Sequence, residues 1–221
     1  MGALYLVRHG QASFGAADYD QLSVLGERQS RALGQWFRAR GIAFDAALTG
    51  TLRRHAQTLA AIEDGMQKQH AALALPGLDE YDSDALVRTI RPEPVDAASG
   101  TPSMEAFFRL LRPALKLWMA AESQPAGMPT HAAFMAGVLQ ALDHVRKEHA
   151  DGSVLLVSSG GPISAAIGHV LALGADATID INLQLRNSAL TEFKVSPRRH
   201  TLVSFNTLPH LDGDAASVTH A

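Results

Sequence analysis

The chain has 221 residues, a formal net charge of −3 and no cysteine. This length fits one sizeable α/β domain, the charge disfavours general binding to nucleic acid or anionic membranes, and the missing thiols exclude disulfides and thiol catalysis. No apolar run is as long as a membrane span, and the N-terminus starts with strand-like residues rather than a secretory signal. We therefore expect a cytoplasmic protein.

A buried parallel strand is predicted at residues 3–7, where the short run ALYLV is wholly apolar. The run ends at Arg8, His9 and Gly10, and a glycine permits a turn that a β-carbon would resist. Ligands of open α/β sheets bind just beyond the carboxyl ends of the strands. Arg8 and His9 would then place a fixed cation beside a nitrogen nucleophile or base; for so short a motif, plain loop solvation is the alternative.

Two helices and two strands are predicted to alternate after a polar loop that follows Gly10. The first helix starts near Ser23 and stops at Gly41, which can act as a C-terminal cap. Residues 45–49 predict a second strand, and Thr51 is a plausible N-cap for the helix that follows it. Residues 71–75 predict a third strand.

The stretch 79–149 changes in character, because short strands give way to helical patterns over residues 104–121 and 130–149. We interpret it as a helical insert packed over one end of the sheet and over the site. The whole chain, residues 1–221, is then a single domain.

A strand over residues 153–158 ends at Ser159 and Gly160, and a helix begins immediately afterwards. A helix N-terminus behind a glycine turn binds anions, because its free N–H groups and its dipole face the ligand. Residues 188–195 and 201–205 predict a closing strand pair, and the tail after Asp212 is expected to fray. The elements together predict a three-layer α/β/α sandwich with a mostly parallel sheet.

The second helix carries two candidate anion ligands, Arg53 and Arg54. Arg54 shares a face with Thr58, whereas Arg53 points about 100° away. We expect Arg54 to bind an anion and Arg53 to be a solvated surface charge. By the same spacing, His55 is expected on a different face from Arg54.

Several motifs occur in one order along most of the chain. They are LVRHGQ at residues 6–11, LSVLGERQ at 22–29, LRRHAQT at 52–58, Glu80 after a strand, and residues 206–211 near the end. This set resembles the histidine phosphatase superfamily, also called phosphoglycerate mutase-like, in the branch named for its Arg-His-Gly motif. The resemblance implies a phosphoglycerate mutase-like fold.

The resemblance also implies a mechanism. His9 would attack phosphorus and become a transient phosphohistidine, and Arg8 and Arg54 would clamp the phosphoryl oxygens through bidentate guanidiniums. Glu80 would protonate the leaving oxygen and then activate water. The alternatives for the acidic run around this residue are a solvated helix start and, less often, a metal site. No metal or other cofactor is implied.

Two polar residues of the loop after the nucleophile, Gln11 and Ser13, are possible substrate contacts, with loop solvation as the alternative. The sequence carries no signal for the oligomeric state or for one particular substrate.

One position departs from the family pattern. Members end the fourth strand in Ser-His-Gly, and that histidine is the second imidazole of the phosphate pocket, whereas Ser159 stands in its place here. With Gly160, Ser159 is still expected to bind phosphate, but a neutral hydroxyl would slow the reaction about ten- to thirtyfold. Replacing Ser159 by histidine is then expected to raise kcat. His131 or His210 could substitute, although structural roles are favoured for both.

From the resemblance we therefore expect a phosphomonoester hydrolase that acts on a small phosphorylated substrate through a phosphohistidine on His9. One alternative is a pseudo-phosphatase that binds phosphate or a related ligand with little turnover, which the loss of the second histidine favours. The other is a phosphoglycerate-type mutase.

Overall fold

The computed structural model describes residues 1–13, 20–91 and 104–220. Its strands form one sheet in the order β3-β2-β4-β1-β5-β6. The strands are β1 (Gly2–Arg8), β2 (Ala46–Thr49), β3 (Ala72–Ala74), β4 (Ser153–Ser158), β5 (Leu190–Val195) and β6 (His200–Thr207). The pairings from β3 through β1 are parallel, while β5 runs antiparallel to β1 and to β6. The predicted, mostly parallel sheet is confirmed.

Helices cover both faces of this sheet. They are α1 (Val24–Ala39), α2 (Arg53–Met66), α3 (Ser83–Ile90), α4 (Met104–Met119), α5 (His131–Glu148), α6 (Gly160–Leu171) and α7 (Ala175–Gln184). Ser23 caps α1 as predicted, because its side chain accepts a hydrogen bond from the Gly26 amide. Thr51 does not cap α2: the helix begins at Arg53, with Leu52 at the cap position. The prediction also lacked α3 and α7.

Alternation along β1 assigns its side chains to two cores. Leu4 and Leu6 pack with apolar residues of α5 and α6, whereas Val7 packs with residues of α1 and α2. A strand with both faces buried needs a continuous apolar run, which the sequence of β1 supplies. The result is the three-layer α/β/α arrangement predicted from the sequence.

The region predicted as an insert contributes to two different cores. Val138, Leu142 and Val145 of α5 belong to the main core beneath the sheet. The helices α3 and α4 form a separate cluster with α7, in which Trp118 is the largest buried side chain. Residues 92–103 of the predicted insert lie outside the described residues. In the part of the chain that is described, no helix is long and apolar enough to span a bilayer.

The C-terminal tail is attached to the fold, in contrast to the fraying expected after Asp212. The Gln29 side chain donates to the carbonyl of Ser217 at 2.7 Å, and the Asn187 amide donates to the carbonyl of Thr219 at 2.9 Å. Arg8 Nη1 donates to the carbonyl of His220 at 2.6 Å. These partners are distant in sequence, so the local composition of the tail could not indicate them.

Helices α1 and α2 approach each other so closely that Gly34 has no room for a side chain. A β-carbon there would lie 2.0 Å from the carbonyl oxygen of Ile62, which is backbone and cannot move aside. Gly34→Ala should therefore lower the free energy of unfolding by about 1–3 kcal/mol or more, measured by urea denaturation. Gly174→Ala is the matched control, because nothing lies within 4 Å of its β-carbon position. Equal stability of the two variants would contradict the close contact.

Candidate active site

The parallel pairing of β1 with β4 brings two chemically rich strand ends together. Arg8 is in register with Ser158, and the amide of His9 donates to the carbonyl of Ser158 at 2.9 Å. His9 is therefore anchored beside the residues that open α6, namely Ser159 and Gly160. The first turn of α2 enters the same edge from β2, as expected for parallel strands that end together.

His9 is buried and held in one orientation, with 4% of its surface exposed. Its Nδ1 lies 2.7 Å from the carbonyl oxygen of Gly10. A carbonyl only accepts, so Nδ1 carries the proton and Nε2 keeps a lone pair. Burial, reinforced by the charges of Arg8 and Arg54, lowers the pKa of His9 well below its usual range. The imidazole is thus neutral and able to act as a nucleophile.

The two arginines predicted to clamp an anion are each held by oxygen acceptors. Arg8 Nη1 donates to the carbonyls of Leu185 and His220. Arg54 is buried, and its Nη1 forms a salt bridge of 2.8 Å with Asp20. Arg53 is exposed, as expected.

Thr58 connects this helix to the turn after His9. Its hydroxyl donates to the carbonyl of Arg54 at 2.8 Å and accepts from the amide of Gly10 at 3.1 Å. The predicted face shared by Arg54 and Thr58 is confirmed.

Glu80 lies at the N-terminus of α6, where both of its carboxylate oxygens accept from the amide of Gly161 at 3.1 Å. Burial raises the pKa of Glu80, although the Gly161 hydrogen bond and the charges of Arg54 and Arg8 oppose the shift. A β-carbon at position 161 would lie 2.1 Å from Glu80 Oε1, so any larger residue there would displace the carboxylate. A carboxyl group with a raised pKa suits proton donation.

His55 occupies a different place from the one predicted. It is fully buried, its Nε2 lies 2.7 Å from Ser159 Oγ, and its ring centroid lies 5.8 Å from that of His9. The expected different face from Arg54 did not reveal that this face also lies at the site. In the first turn of a helix, side chains tilt back toward the N-terminus, and here that end faces the carboxyl edge of the sheet.

The remaining candidates are engaged elsewhere. Ser23 Oγ donates to Gln11 Oε1 at 2.9 Å, and Ser13 Oγ donates to the carbonyl of Leu22 at 3.2 Å, so both polar loop residues fasten their loop to the start of α1. Their contact with substrate stays a prediction. The ring of His131 packs against Trp118 at 5.1 Å between centroids, and His210 Nε2 is bonded to Ser188 Oγ at 2.9 Å. Structural roles are the ones expected for these two histidines.

Four polar residues at this edge were not recognised from the sequence. Asp20 pairs with Arg54, Asp79 accepts from the amide of Thr51 at 2.5 Å, and Tyr81 accepts from the Asn182 side chain at 2.6 Å. All of these contacts join distant segments, and only the position of Asp79 and Tyr81 on either side of Glu80 could have drawn attention to them. Among the described residues, no group of three or more His, Asp or Glu side chains is placed to hold a metal ion.

Comparison with known families agrees with this geometry. The family described as "Histidine phosphatase superfamily (branch 1)" matches residues 4–208. The chain therefore belongs to the histidine phosphatase superfamily. No functionally curated protein shows significant similarity to the sequence.

Solved structures share the fold at low sequence identity. A mutant phosphoserine phosphatase from Entamoeba histolytica, in complex with phosphoserine, is 20% identical with a TM-score of 0.66, covering 96% of this chain and all of that one. A mycobacterial glucosyl-3-phosphoglycerate phosphatase is 18% identical with a TM-score of 0.63, covering 93% and 98% of the two chains. A phosphoglycerate mutase from Bacillus anthracis is 18% identical with a TM-score of 0.65, covering 95% of each. The neighbours thus include phosphatases and a mutase, and they establish the phosphoglycerate mutase-like fold.

The two adjacent arginines of α2 provide a test of the anion site. Arg54→Gln should weaken binding of inorganic phosphate or orthovanadate about ten- to hundredfold, because it removes a charge-assisted hydrogen bond. Arg53→Gln should change affinity by less than about twofold, since an exposed charge is screened by salt. Isothermal titration calorimetry measures both. Similar losses in the two variants would mean that general charge, rather than this site, attracts the anion.

Proposed function

We propose that the chain is a phosphomonoester hydrolase in which His9 is the nucleophile and a small phosphorylated molecule is the substrate. The observation that carries the proposal is the state of His9: a buried, neutral imidazole whose proton is held on Nδ1 by the Gly10 carbonyl. Its Nε2 lone pair lies in the field of Arg8 and Arg54. Phosphoryl transfer depends mainly on positioning and on stabilising charge, which such a pocket supplies.

In the first step, His9 Nε2 attacks phosphorus while the bond from phosphorus to the ester oxygen breaks. Glu80, in its protonated form, gives its proton to that oxygen, and the alcohol leaves. The raised pKa of Glu80 supports this role, because it keeps the acid form available at a higher pH than usual. Arg8 and Arg54 stabilise the charge on the phosphoryl oxygens, with Ser159 and the amide at Gly160 beside them.

In the second step, water attacks the phosphohistidine. The carboxylate of Glu80 accepts a proton from the water, the bond from phosphorus to His9 breaks, and inorganic phosphate is released. His9 returns to its neutral form and Glu80 to its acid form, so the cycle closes without a cofactor. The region 79–149 contributes Glu80 directly, and we propose that its helices α3 and α4, which cluster with α7, form the cover over the substrate.

The pseudo-phosphatase and mutase alternatives share the anion pocket but predict other outcomes for turnover. His9→Ala should abolish hydrolysis of phosphomonoesters, a loss on the order of a thousandfold or more, because no other group can replace the nucleophile. His169→Ala, an exposed histidine on α6, is the matched control and should keep full activity. Steady-state phosphate release measures both variants. An inert wild-type protein that still binds phosphate would favour the pseudo-phosphatase.

The role of Glu80 is tested by the leaving group. With an alkyl phosphate, Glu80→Gln should lower kcat/KM about a hundredfold or more, whereas kcat/KM for an activated aryl phosphate, which needs little protonation, should fall less than about tenfold. This ratio reports the transfer to His9 and not the later hydrolysis of the phosphohistidine, in which Glu80 serves both substrates alike. As the pH rises through the raised pKa, the wild type loses the acid form and its rate on alkyl phosphates falls.

The same variant should lack that alkaline decline, which pH profiles of kcat/KM with both substrates would record. Equal losses on the two substrates would exclude Glu80 as the acid that protonates the leaving group.

A further inference from the structure

Ser159 occupies the N-cap position of α6 but does not cap the helix. An N-cap serine ordinarily accepts from an amide two or three residues later, and Ser159 makes no such bond. The amide of Gly161 is instead bonded to both carboxylate oxygens of Glu80 at 3.1 Å. This exchange leaves the Ser159 hydroxyl available for another partner at the edge where His9 lies.

That partner is His55, whose Nε2 is 2.7 Å from Ser159 Oγ. Both side chains are fully buried. The other ring nitrogen, Nδ1, lies 3.8 Å from Asp79 Oδ1, beyond hydrogen-bond distance. Asp79 is itself held by the amide and hydroxyl of Thr51. The imidazole is packed against the backbone as well, because a β-carbon on Gly50 would lie 2.2 Å from Nδ1.

We propose that His55 is a positioning residue that orients the Ser159 hydroxyl as a hydrogen-bond donor toward the phosphoryl group held against His9. The inference rests on the proposed function and deepens it. With its single proton on Nε2, a neutral His55 donates to Ser159 Oγ. The hydroxyl has one proton of its own, and that proton is then directed away from His55 to an oxygen on phosphorus. Ser159 contacts substrate, and His55 acts through Ser159.

We call this hydrogen-bonded pair of His55 and Ser159 the relay, and its surroundings keep it uncharged. Burial, together with the charge of Arg54, lowers the pKa of His55 to about 3, so the ring is uncharged at neutral pH. The positive charge of the pocket therefore comes from Arg8 and Arg54, while His55 and Ser159 supply an oriented, uncharged hydrogen-bond donor. The ring of His55 also lies 5.8 Å from that of His9, which places the relay beside the nucleophile.

The contact changes what is expected of a histidine at position 159. Its ring would need the space that His55 already fills, 2.7 Å from Ser159 Oγ. The single variant Ser159→His should therefore lower kcat rather than raise it. The double variant His55→Ala/Ser159→His, which removes one imidazole and supplies the other from the N-cap of α6, should recover activity relative to Ser159→His.

The central experiment is a double-mutant cycle on kcat/KM. Ser159→Ala and His55→Leu should each lower kcat/KM about ten- to hundredfold, the range for one hydrogen bond to a charged group. The double variant should be no worse than the poorer single variant, because one relay is lost in all three. His55→Gln retains an amide N–H that can donate to Ser159, and it should recover most of the activity that His55→Leu loses.

Two readouts separate this role from a merely structural one. The loss should be equal for alkyl and aryl phosphates, because Ser159 contacts the transferred group and not the leaving group. His70→Leu removes another buried imidazole, one bonded to Glu63 and remote from the site. It should lower the melting temperature while leaving kcat/KM unchanged. Losses that multiply in the double variant, or that depend on the leaving group, would overturn the proposal.

Failure of the proposed function is distinguishable from failure of this inference. A wild type without His9-dependent turnover contradicts the hydrolase, and the relay is then tested by the affinity for orthovanadate in the same set of variants. Orthovanadate binding should weaken about tenfold in Ser159→Ala, in His55→Leu and in their double variant. The losses of the two single variants therefore should not add. Unchanged affinity in all three would rule out the relay.

Discussion

The hydrogen bond from the His9 amide to the Ser158 carbonyl, 2.9 Å long, joins the two central strands where they end. Every other feature of the site depends on that junction. It continues the parallel register of β1 and β4. The segment after β1 and the first turn of α6, which follows β4, therefore lie side by side. Because both faces of β1 are buried under helices, its end has little freedom to shift, and the side chains beyond it are held rigidly.

The charge states of the side chains at this site follow from their burial away from water. Two guanidiniums stay charged because arginine cannot lose its proton in a protein, whereas burial keeps the imidazoles of His9 and His55 neutral. Burial also favours the acid form of Glu80. In the proposed mechanism these groups serve as fixed cations, a neutral nucleophile and a proton donor. The same low dielectric strengthens each hydrogen bond made to an anion.

Helix α6 shows how closely backbone and chemistry are connected. Its N-terminal amides would ordinarily be satisfied by the serine at the cap, but the carboxylate of Glu80 takes this place at Gly161. A β-carbon at position 161 would meet the carboxylate at 2.1 Å, so the carboxylate holds this position only beside a glycine or after shifting. One substitution at position 161 would therefore disturb the helix start, the acid and the hydroxyl of Ser159 together. The short segment that opens α6 is constrained more tightly than its small side chains suggest.

The sequence by itself determined the strands, most of the helices, the family and the residues at the strand ends, because hydrophobic periodicity and short motifs are local properties. Arg8, His9, Arg54, Glu80 and Ser159 were predicted as site residues in this way. Only the tertiary structure decided their partners: Asp20 on Arg54, the Gly161 amide on Glu80, the tail on Arg8 and His55 on Ser159. The misplacement of His55 has a definite cause. Helical spacing gives the angle between neighbouring side chains. Only the packing of α2 against the sheet decides which of those side chains face the site.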